Sequence, residues 1–442
     1  MKYIIDKEEV HYIMEKRNIK TQTELAERLG ITKNQLSLLL SAKSNPIKSN
    51  YQKLFDVLGV SPMDIMLPKD TGTVHKKLNE KIDVENDMNY VDTNKVEAFR
   101  EYKSVELFAG AGGLALGLEE AGFSAQGMVE IDKFAAETLR INRENWNVIE
   151  EDIIRVSEKG IRNYLPSGIK IDFVSGGYPC QAFSYAGHKL GLDDVRGTMF
   201  FYFAKIIKDL NPKVFLAENV KGLSSHDNGK TLQTMLEIYD NLGYNVTWHI
   251  VKANDYGVAQ KRERVIIIGI RKEFNVTYYL PKVYDYKPVL RDVLNNVPKS
   301  EGEKYPEKKR KVLELVPPGG YWRDLPEEIA KEYMGMSYYS GGGRTGMARR
   351  MSWDEPSLTL TCSPAQKQTE RCHPTETRPF TVREYARIQS FPDDWKFAGS
   401  MSQQYKQIGN AVPVELAKAV GLSIIDVLNR IEEKYMEKNS AM

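Results

Sequence analysis

Cys180 closes the stretch Asp172-Phe173-Val174-Ser175-Gly176-Gly177-Tyr178-Pro179-Cys180, and its neighbours decide what its thiol can do. The first residues are apolar and partly β-branched, as a buried strand requires. Gly176-Gly177 breaks the strand, and Pro179 stiffens the turn before the cysteine. A free cysteine often behaves as a small core hydrophobe. At the carboxyl end of a strand it instead lies where open α/β sheets keep their ligands, and its thiolate is a strong nucleophile. Two further apolar runs end in chemistry. Val214-Phe215-Leu216-Ala217 leads into Glu218-Asn219, and Gln260-Lys261-Arg262-Glu263-Arg264 leads into Val265-Ile266-Ile267-Ile268-Gly269. Taken singly, Glu218 could cap a helix, and Arg262 and Arg264 could form surface ion pairs worth little. Delivered to one rim with a thiol, they form an acid and two cations beside a nucleophile.

The elements that must position these groups begin at Ser104. Ser104 to Phe108 reads as a short strand, Ala109 to Ala115 as a glycine-rich turn, and Leu114 to Ala121 as the opening of a helix. This is a Rossmann-type first unit, in which Gly110, Gly112 and Gly113 let a ligand approach backbone at a helix amino terminus. Glu130 follows the strand-like run Gln126 to Val129 and is placed to accept hydrogen bonds from ribose hydroxyls. Asp152 follows a third run, Asn147 to Ile149, at the same sheet edge. A nicotinamide enzyme would also show a Gly-x-Gly and an acid about twenty residues on. Such an enzyme needs neither the Pro-Cys turn nor the Glu218 and Arg262 strand ends. The pattern predicts an open α/β fold of Rossmann type.

The chain has 442 residues and a formal net charge of +2, so its composition does not announce a nucleic-acid partner. Any basic surface must come from local clustering. Cys180, Cys362 and Cys372 are too few and too scattered for a disulfide framework, which suits a reducing cytoplasm. Cys362, Cys372 and His373 lie close together, but no C-x-x-C pair accompanies them and no metal is expected. No apolar run approaches membrane-spanning length, and residues 1–10 have no signal-peptide core.

The amino-terminal segment carries its own pattern. Leu25, Ala26 and Leu29 share one helical face, Gly30 ends that helix, and Thr32 with Gln35 has the spacing of a capping box. Two short helices joined through a glycine turn predict a helix-turn-helix. Leu36, Leu39 and Leu40 then face inward, leaving Lys33, Asn34, Gln35 and Ser37 toward DNA bases. From Arg28 to Phe55 there are five cations and no acid. The stretch Gln22 to Ser37 resembles the phage-repressor class of helix-turn-helix. Asn50 to Leu58 and Ser61 to Ile65 look like the last two helices of that class. Residues 69–100 read as a charged linker with one helix around Val74 to Ile82.

Five motifs occur in a fixed order: Phe108-x-Gly110-x-Gly112-Gly113, Pro179-Cys180-Gln181, Glu218-Asn219-Val220, Gln260-x-Arg262-x-Arg264 and Gly409-Asn410-Ala411-Val412-Pro413. The ordered set, spanning about residues 103 to 430, strongly resembles the cytosine-C5 DNA methyltransferases of bacterial restriction–modification systems. That resemblance implies S-adenosylmethionine as cofactor, a Rossmann-like α/β fold with a mostly parallel sheet and helices on both faces, and a smaller DNA-reading domain. Cys180 would add to C6 of a cytosine flipped out of double-stranded DNA, Glu218 would act at N3 and the 4-amino group, and Arg262 with Arg264 would hold the O2 edge. A water serves as well as a side chain for removing the C5 proton. For the cofactor the resemblance implies Phe108 on the adenine, Glu130 on the ribose and Ile131 on the adenine's other side, where relatives often carry an aromatic ring. It also implies Asp152 and Ile153 at the adenine amino group and Met199 on the pocket wall. Pro179 would lie beside these, and Asn410 and Val412 would close the methionine end. Gln181 to Thr198, including Arg196, would be a loop that closes on DNA.

With the resemblance, the chain divides into residues 1–68 (helix-turn-helix), 69–100 (linker), 101–275 (catalytic and cofactor-binding), 276–350 (where the family places target recognition) and 351–442 (end of that region and return to the catalytic domain). Prolines and the cationic run Lys308 to Lys311 mark the recognition interval, and Arg344 in Ser340-Gly341-Gly342-Gly343-Arg344 could pair with a guanine edge. The expected function is DNA cytosine-C5 methylation that protects host DNA from a cognate endonuclease, by a monomer. The amino-terminal domain would autoregulate transcription, as a dimer on promoter DNA. A transfer-RNA cytosine methyltransferase shares the motifs, but the helix-turn-helix and long recognition interval favour DNA. A transcription regulator with a vestigial enzyme half would not fill every catalytic position.

Overall fold

The computed structural model describes residues 3–5, 7–17, 19, 21–40, 48–58, 66–68, 90–179, 192–339 and 345–440. It divides into two units, Met1–Met88 and Asn89–Met442. The helix around Val74 to Ile82, the helix of Ser61 to Ile65, Cys180, Gln181 and Arg344 lie outside the described residues.

The amino-terminal unit has helices α1 (Lys7–Lys16), α2 (Gln22–Leu29), α3 (Lys33–Leu39) and α4 (Lys48–Leu58). Strand β1 (Tyr3–Ile5) pairs antiparallel with β2 (Met66–Pro68), joining the segments before and after the four helices. Thr21 caps α2 by accepting from the Glu24 N–H, and Gly30 ends it with φ +65°, a conformation that favours glycine. Thr32 and Gln35 form the expected reciprocal cap: Gln35 Oε1 accepts from Thr32 N at 2.8 Å, and Thr32 Oγ1 accepts from Gln35 N at 3.2 Å. Leu36, Leu39 and Leu40 are buried with Leu25, Leu29 and Leu54. Lys33, Asn34, Gln35 and Ser37 are exposed, as the recognition-helix reading requires.

The larger unit is built on a seven-stranded sheet of order β5-β4-β3-β6-β7-β10-β8. Its strands are β3 (Tyr102–Leu107), β4 (Phe123–Glu130), β5 (Val148–Glu150), β6 (Phe173–Gly176), β7 (Val214–Val220), β8 (Tyr244–Lys252) and β10 (Glu263–Arg271). The first five are parallel, and β10 runs antiparallel between β7 and β8. Side chains alternate between two apolar layers: Phe215, Ala217, Val265 and Ile267 on one face, Val214, Leu216, Ile266 and Ile268 on the other. The second layer is completed by the long helix Val414–Ser440, which packs on helix Gly113–Glu120, so the chain's end returns beside its first unit. The chain reverses direction across the sheet between β3 and β6, which makes the carboxyl ends of these strands a topological switch point.

Packing divides the recognition interval differently from composition. Val276, Tyr278, Leu290 and Leu294 belong to the cores around the sheet, not to a separate domain. A distinct small core runs from Tyr305 through Leu313, Trp322, Leu325, Met334 and Met347 to Cys372. Prolines changed the composition at 281 and 288 before the packing changed.

A buried polar clasp joins the strands to the carboxyl-terminal segment. Strand β9 (Gln260–Lys261) pairs with β11 (Ser357–Leu358). Gln260 Nε2 donates to Gln389 Oε1 at 2.8 Å, and Gln260 Oε1 accepts from Leu360 N at 2.9 Å. Gln389 Nε2 donates to the carbonyls of Ile408 (2.7 Å) and Ala411 (3.1 Å). Both glutamines are fully buried. Gln389→Leu removes the side-chain donor to the Ala411 carbonyl, leaves the Ile408 carbonyl only the Ala411 N–H at 3.2 Å, and leaves the Gln260 amide only the Ile388 carbonyl at 3.5 Å, where each buried group left unsatisfied costs roughly 1–3 kcal/mol. Denaturant unfolding should therefore show a loss of about 1–3 kcal/mol, above that of a surface substitution.

Candidate active site

A cavity of about 540 Å³ opens at the switch point, lined by the β3 turn, the ends of β4, β6 and β7, the start of β10 and the segment 406–412. The turn after β3 is tightly wound. Phe108 has φ +58°, Gly110 +56° and Gly112 +86°. Only the two glycines adopt this region freely, so Phe108 stores strain of about 1–3 kcal/mol at the cavity wall. A side chain at Gly112 would lie 2.7 Å from Leu139 and 2.9 Å from Trp395, and one at Gly113 would strike the Val412 carbonyl. Trp395 Nε1 donates to the Ala111 carbonyl at 3.2 Å and holds the turn from behind.

Glu130 faces this turn. Its two oxygens accept from Gly110 N and Asp132 N, each at 2.7 Å, which fixes the carboxylate at the cavity edge with further lone pairs to offer. Burial pushes its carboxyl above the usual range, against the pull of the backbone donors. Ile131, 66% exposed, Phe108, Pro179, Asn410 and Val412 line the same cavity. Asp152 and Ile153 do not line it: Asp152 caps the next helix by accepting from Ile154 N at 2.9 Å, and Ile153 lies in the core. Met199 packs against that core, and Arg196 is exposed on the neighbouring turn.

The catalytic candidates meet at the other wall. Arg264 Nε pairs with Glu218 Oε1 at 2.9 Å, both side chains largely buried. Gly177 lies so close that an added Cβ would sit 2.9 Å from Glu218 Oε2. Asn219 Nδ2 donates to the Tyr178 carbonyl at 2.9 Å and pins the turn that leads to Pro179. Arg262, 2% exposed, donates through Nη1 to the Gly409 carbonyl at 3.2 Å, and its Nε has no protein partner. Burial, then the neighbouring Arg264, brings its pKa down to about 9 against the opposing pull of Glu218, so it stays charged at neutral pH. The arrangement can hold a planar polar ring against one carboxylate and two guanidiniums, with the Pro179 turn at its edge.

Several contributors went unread in the sequence. Glu106, 4% exposed, lies between Val105 and Leu107 on β3 and lines the cavity. An acid inside an apolar strand was the signal for it. Cys362 was weighed only for a disulfide or a metal and given no role, yet its thiol donates to Asn410 Oδ1 at 3.0 Å. Gln407, which accepts from Thr138 Oγ1 at 2.6 Å, steadies the helix that presents Asn410.

Residues 102–426 match the family model for C-5 cytosine-specific DNA methylases, and residues 12–65 match a helix-turn-helix model. The chain is 56% identical over 422 residues to the type II methyltransferase M.Sau96I of Staphylococcus aureus, covering 94% of this chain and 97% of that one. It is 57% identical over 343 residues to M.Eco47II of Escherichia coli, covering 75% and 81% of the two chains. Among solved structures, an Entamoeba histolytica methyltransferase, EhMeth, superposes with a TM-score of 0.51 at 16% identity, covering 74% of this chain and 99% of that one. This last likeness supports the fold.

Glu106 sets a pH dependence. Burial, reinforced by the nearby Glu130 carboxylate, holds it well above its ordinary value of 4.5. The folded state therefore favours the protonated form, and stability is lost as pH rises from the unfolded value toward the folded one. Glu106→Gln removes this loss. Thermal melts of the ligand-free protein should place the variant above the wild type in mildly alkaline buffer, with the gap closing toward pH 4.5. A constant gap across pH would show that Glu106 does not titrate in this way.

Proposed function

This chain belongs to the C-5 cytosine-specific DNA methylases and methylates cytosine C5 in DNA, and from that premise we propose how its residues divide the work. S-adenosylmethionine is the methyl donor that suits the cavity. Gly110 and Gly112 supply a backbone cradle that side chains would fill, Glu130 offers a carboxylate to a ribose diol, and Phe108 and Ile131 offer apolar faces to an adenine. Asn410 and Val412 close the far end. When bound, the cofactor supplies an electrophilic methyl group on sulfur.

C5 of cytosine is a weak nucleophile. Addition of the Cys180 thiolate to C6 forms a carbon–sulfur bond and makes C5 enamine-like. Glu218, as an acid at N3, takes up the charge that this addition builds on the ring, and Arg262 and Arg264 offset charge at the O2 edge. After the methyl group has moved to C5, loss of the C5 proton expels the thiolate. The target base must leave the duplex to reach these groups. The observation that carries this reading is the buried Glu218–Arg264 pair beside Arg262, sharing one cavity with the glycine turn and Pro179. Duplex DNA with 5-fluorocytosine at the target should trap the wild type as a denaturant-stable adduct when S-adenosylmethionine is present, because fluorine cannot leave C5 as a proton does. Cys180→Ala should give no adduct and no methylation. Methylation by that variant would sink the assignment.

The small core from Tyr305 to Cys372, with Arg344, reads the target sequence. Methylation there protects host DNA from an endonuclease of the same specificity. The amino-terminal unit has its own core and an exposed Lys33, Asn34, Gln35, Ser37 face, so it can read a second sequence. A promoter controlling its own modification or restriction gene is the fitting second site, bound as a dimer on half-sites about one helical turn apart. Footprinting with the full-length protein should protect a palindrome upstream of the gene, with binding that weakens steeply as salt rises. A Lys33, Asn34, Gln35 triple alanine variant should lose that footprint and keep methylation. Loss of methylation with no promoter protection in the wild type would make the unit an accessory clamp.

A further inference from the structure

A second cavity, about 760 Å³ against about 540 Å³ for the catalytic one, opens at the opposite edge of the sheet, where β3, β6 and β7 begin and β10 ends. The two edges are separated by the length of β3, roughly 20 Å for six residues. Two carboxylates lie in this second cavity. Buried Asp172 pairs with Arg100 at 2.6 Å and Lys213 at 3.2 Å, and Glu432 pairs with the same two cations. That quartet is neutral. Arg271 is answered by Glu273 at 2.8 Å. Three lining cations are left over. Arg162 donates to the Asp209 and Leu210 carbonyls at 3.1 and 3.2 Å, which satisfies the end of helix Met199–Leu210 without supplying a counter-charge. Lys103 is half-buried and Lys170 exposed, and neither has a carboxylate partner among the described residues.

Like charges gathered round one cavity repel, and the cost falls hardest on Lys103, which has lost part of its water. A chain with a net charge of only +2 has no general excess that would put three spare cations in one place. An anion relieves the repulsion. A singly charged one would leave most of it standing, whereas a short chain of phosphates carries several charges along a length that the cavity can hold. Lysine meets phosphate as a point charge and arginine as a fork of donors. A duplex presents its phosphates on a convex surface, but this opening is recessed between the strand beginnings and helix Val414–Ser440, which contributes Glu432 and Tyr435. We propose that this cavity binds a small polyphosphate-bearing molecule, held directly by Lys103, Lys170 and Arg162. Arg100 and Lys213, already held by carboxylates, shape the floor. Such a ligand ties together the beginnings of the strands whose far ends carry the chemistry, and stabilises the folded chain by mass action.

The test is calorimetry on the full-length protein, with saturating S-adenosylmethionine to occupy the catalytic cavity and inorganic tripolyphosphate as the probe. Wild type should bind one tripolyphosphate per chain, with an affinity that falls as sodium chloride rises. Each cation removed should weaken binding about tenfold, the worth of one charge-assisted contact, so Lys103→Met combined with Lys170→Ala should lose about a hundredfold. The same variant should keep its affinity for S-adenosylmethionine, which shows that it is folded. Lys170→Glu, a change outside every strand, should weaken binding on its own. Lys95→Ala combined with Lys282→Ala, an equal loss of charge outside the cavity, should bind as wild type does. The proposal is overturned if wild type takes up no tripolyphosphate at about 1 mM, or if sulfate at equal ionic strength binds as tightly. It is also overturned if the two lysine pairs lose equally, or if a non-target duplex displaces the probe, which would put the anion on a DNA-binding surface.

Discussion

Two buried glutamines hold the active site together. Gln260 begins the segment that carries Arg262 and Arg264, and Gln389 precedes the turn on which Trp395 sits. Their side-chain bond joins parts of the chain 129 residues apart. Through Leu360, Ile408 and Ala411 the same clasp fixes the approach to the small domain and the segment presenting Asn410 and Val412. Each amide uses both ends, so neither residue tolerates a partial substitute. In a dry interior such a network is either satisfied throughout or costly, which makes it a register device as well as a source of stability. The rim can then be assembled from four distant strand ends without a covalent link.

The glycine turn depends on the same closure. Phe108 is held at positive φ because its neighbours over-determine it: Ala109 N bonds to the Val129 carbonyl, Gly110 N to Glu130, and Trp395 to the Ala111 carbonyl. Trp395 belongs to the carboxyl-terminal segment that the glutamine clasp brings in. Backbone strain at the cavity wall is thus supported by side chains almost three hundred residues away in sequence. Gly113 and Gly117 permit this approach, since a Cβ at either would strike the carbonyl of Val412 or Val414.

Much of this was legible in the sequence because strand ends and glycine turns impose local rules. Glu130, Glu218, Arg262 and Arg264 all follow or lead apolar runs, and the structure puts all four on one cavity. The Thr32–Gln35 cap and the inward leucines of α3 followed from spacing alone. What local rules could not give was pairing. Whether Glu218 would meet Arg262 or Arg264 depends on the antiparallel register of β10 on β7, which sets Arg264 opposite Val220 and Ile266 opposite Glu218. The roles of Gln389, Gln407 and Trp395 are likewise partnerships at long range. Asp152 shows the converse. An acid after a strand invites a ligand-binding reading, yet the same position begins a helix, and the helix uses it as a cap.

The charge balance of the site explains why so much structure surrounds it. One carboxylate, Glu218, faces two guanidiniums, and its direct partner is Arg264. Arg262 is left with backbone carbonyls and an unpartnered Nε, almost entirely out of water. A buried cation without a full counter-charge is costly to keep, and only a well-packed surround can retain it. Its value lies in the transition state, because a guanidinium already desolvated and fixed needs no reorganisation when negative charge develops on the bound ring. The stability supplied by the clasp and the two apolar layers of the sheet is therefore what allows the positive charge to wait, uncompensated, for its substrate.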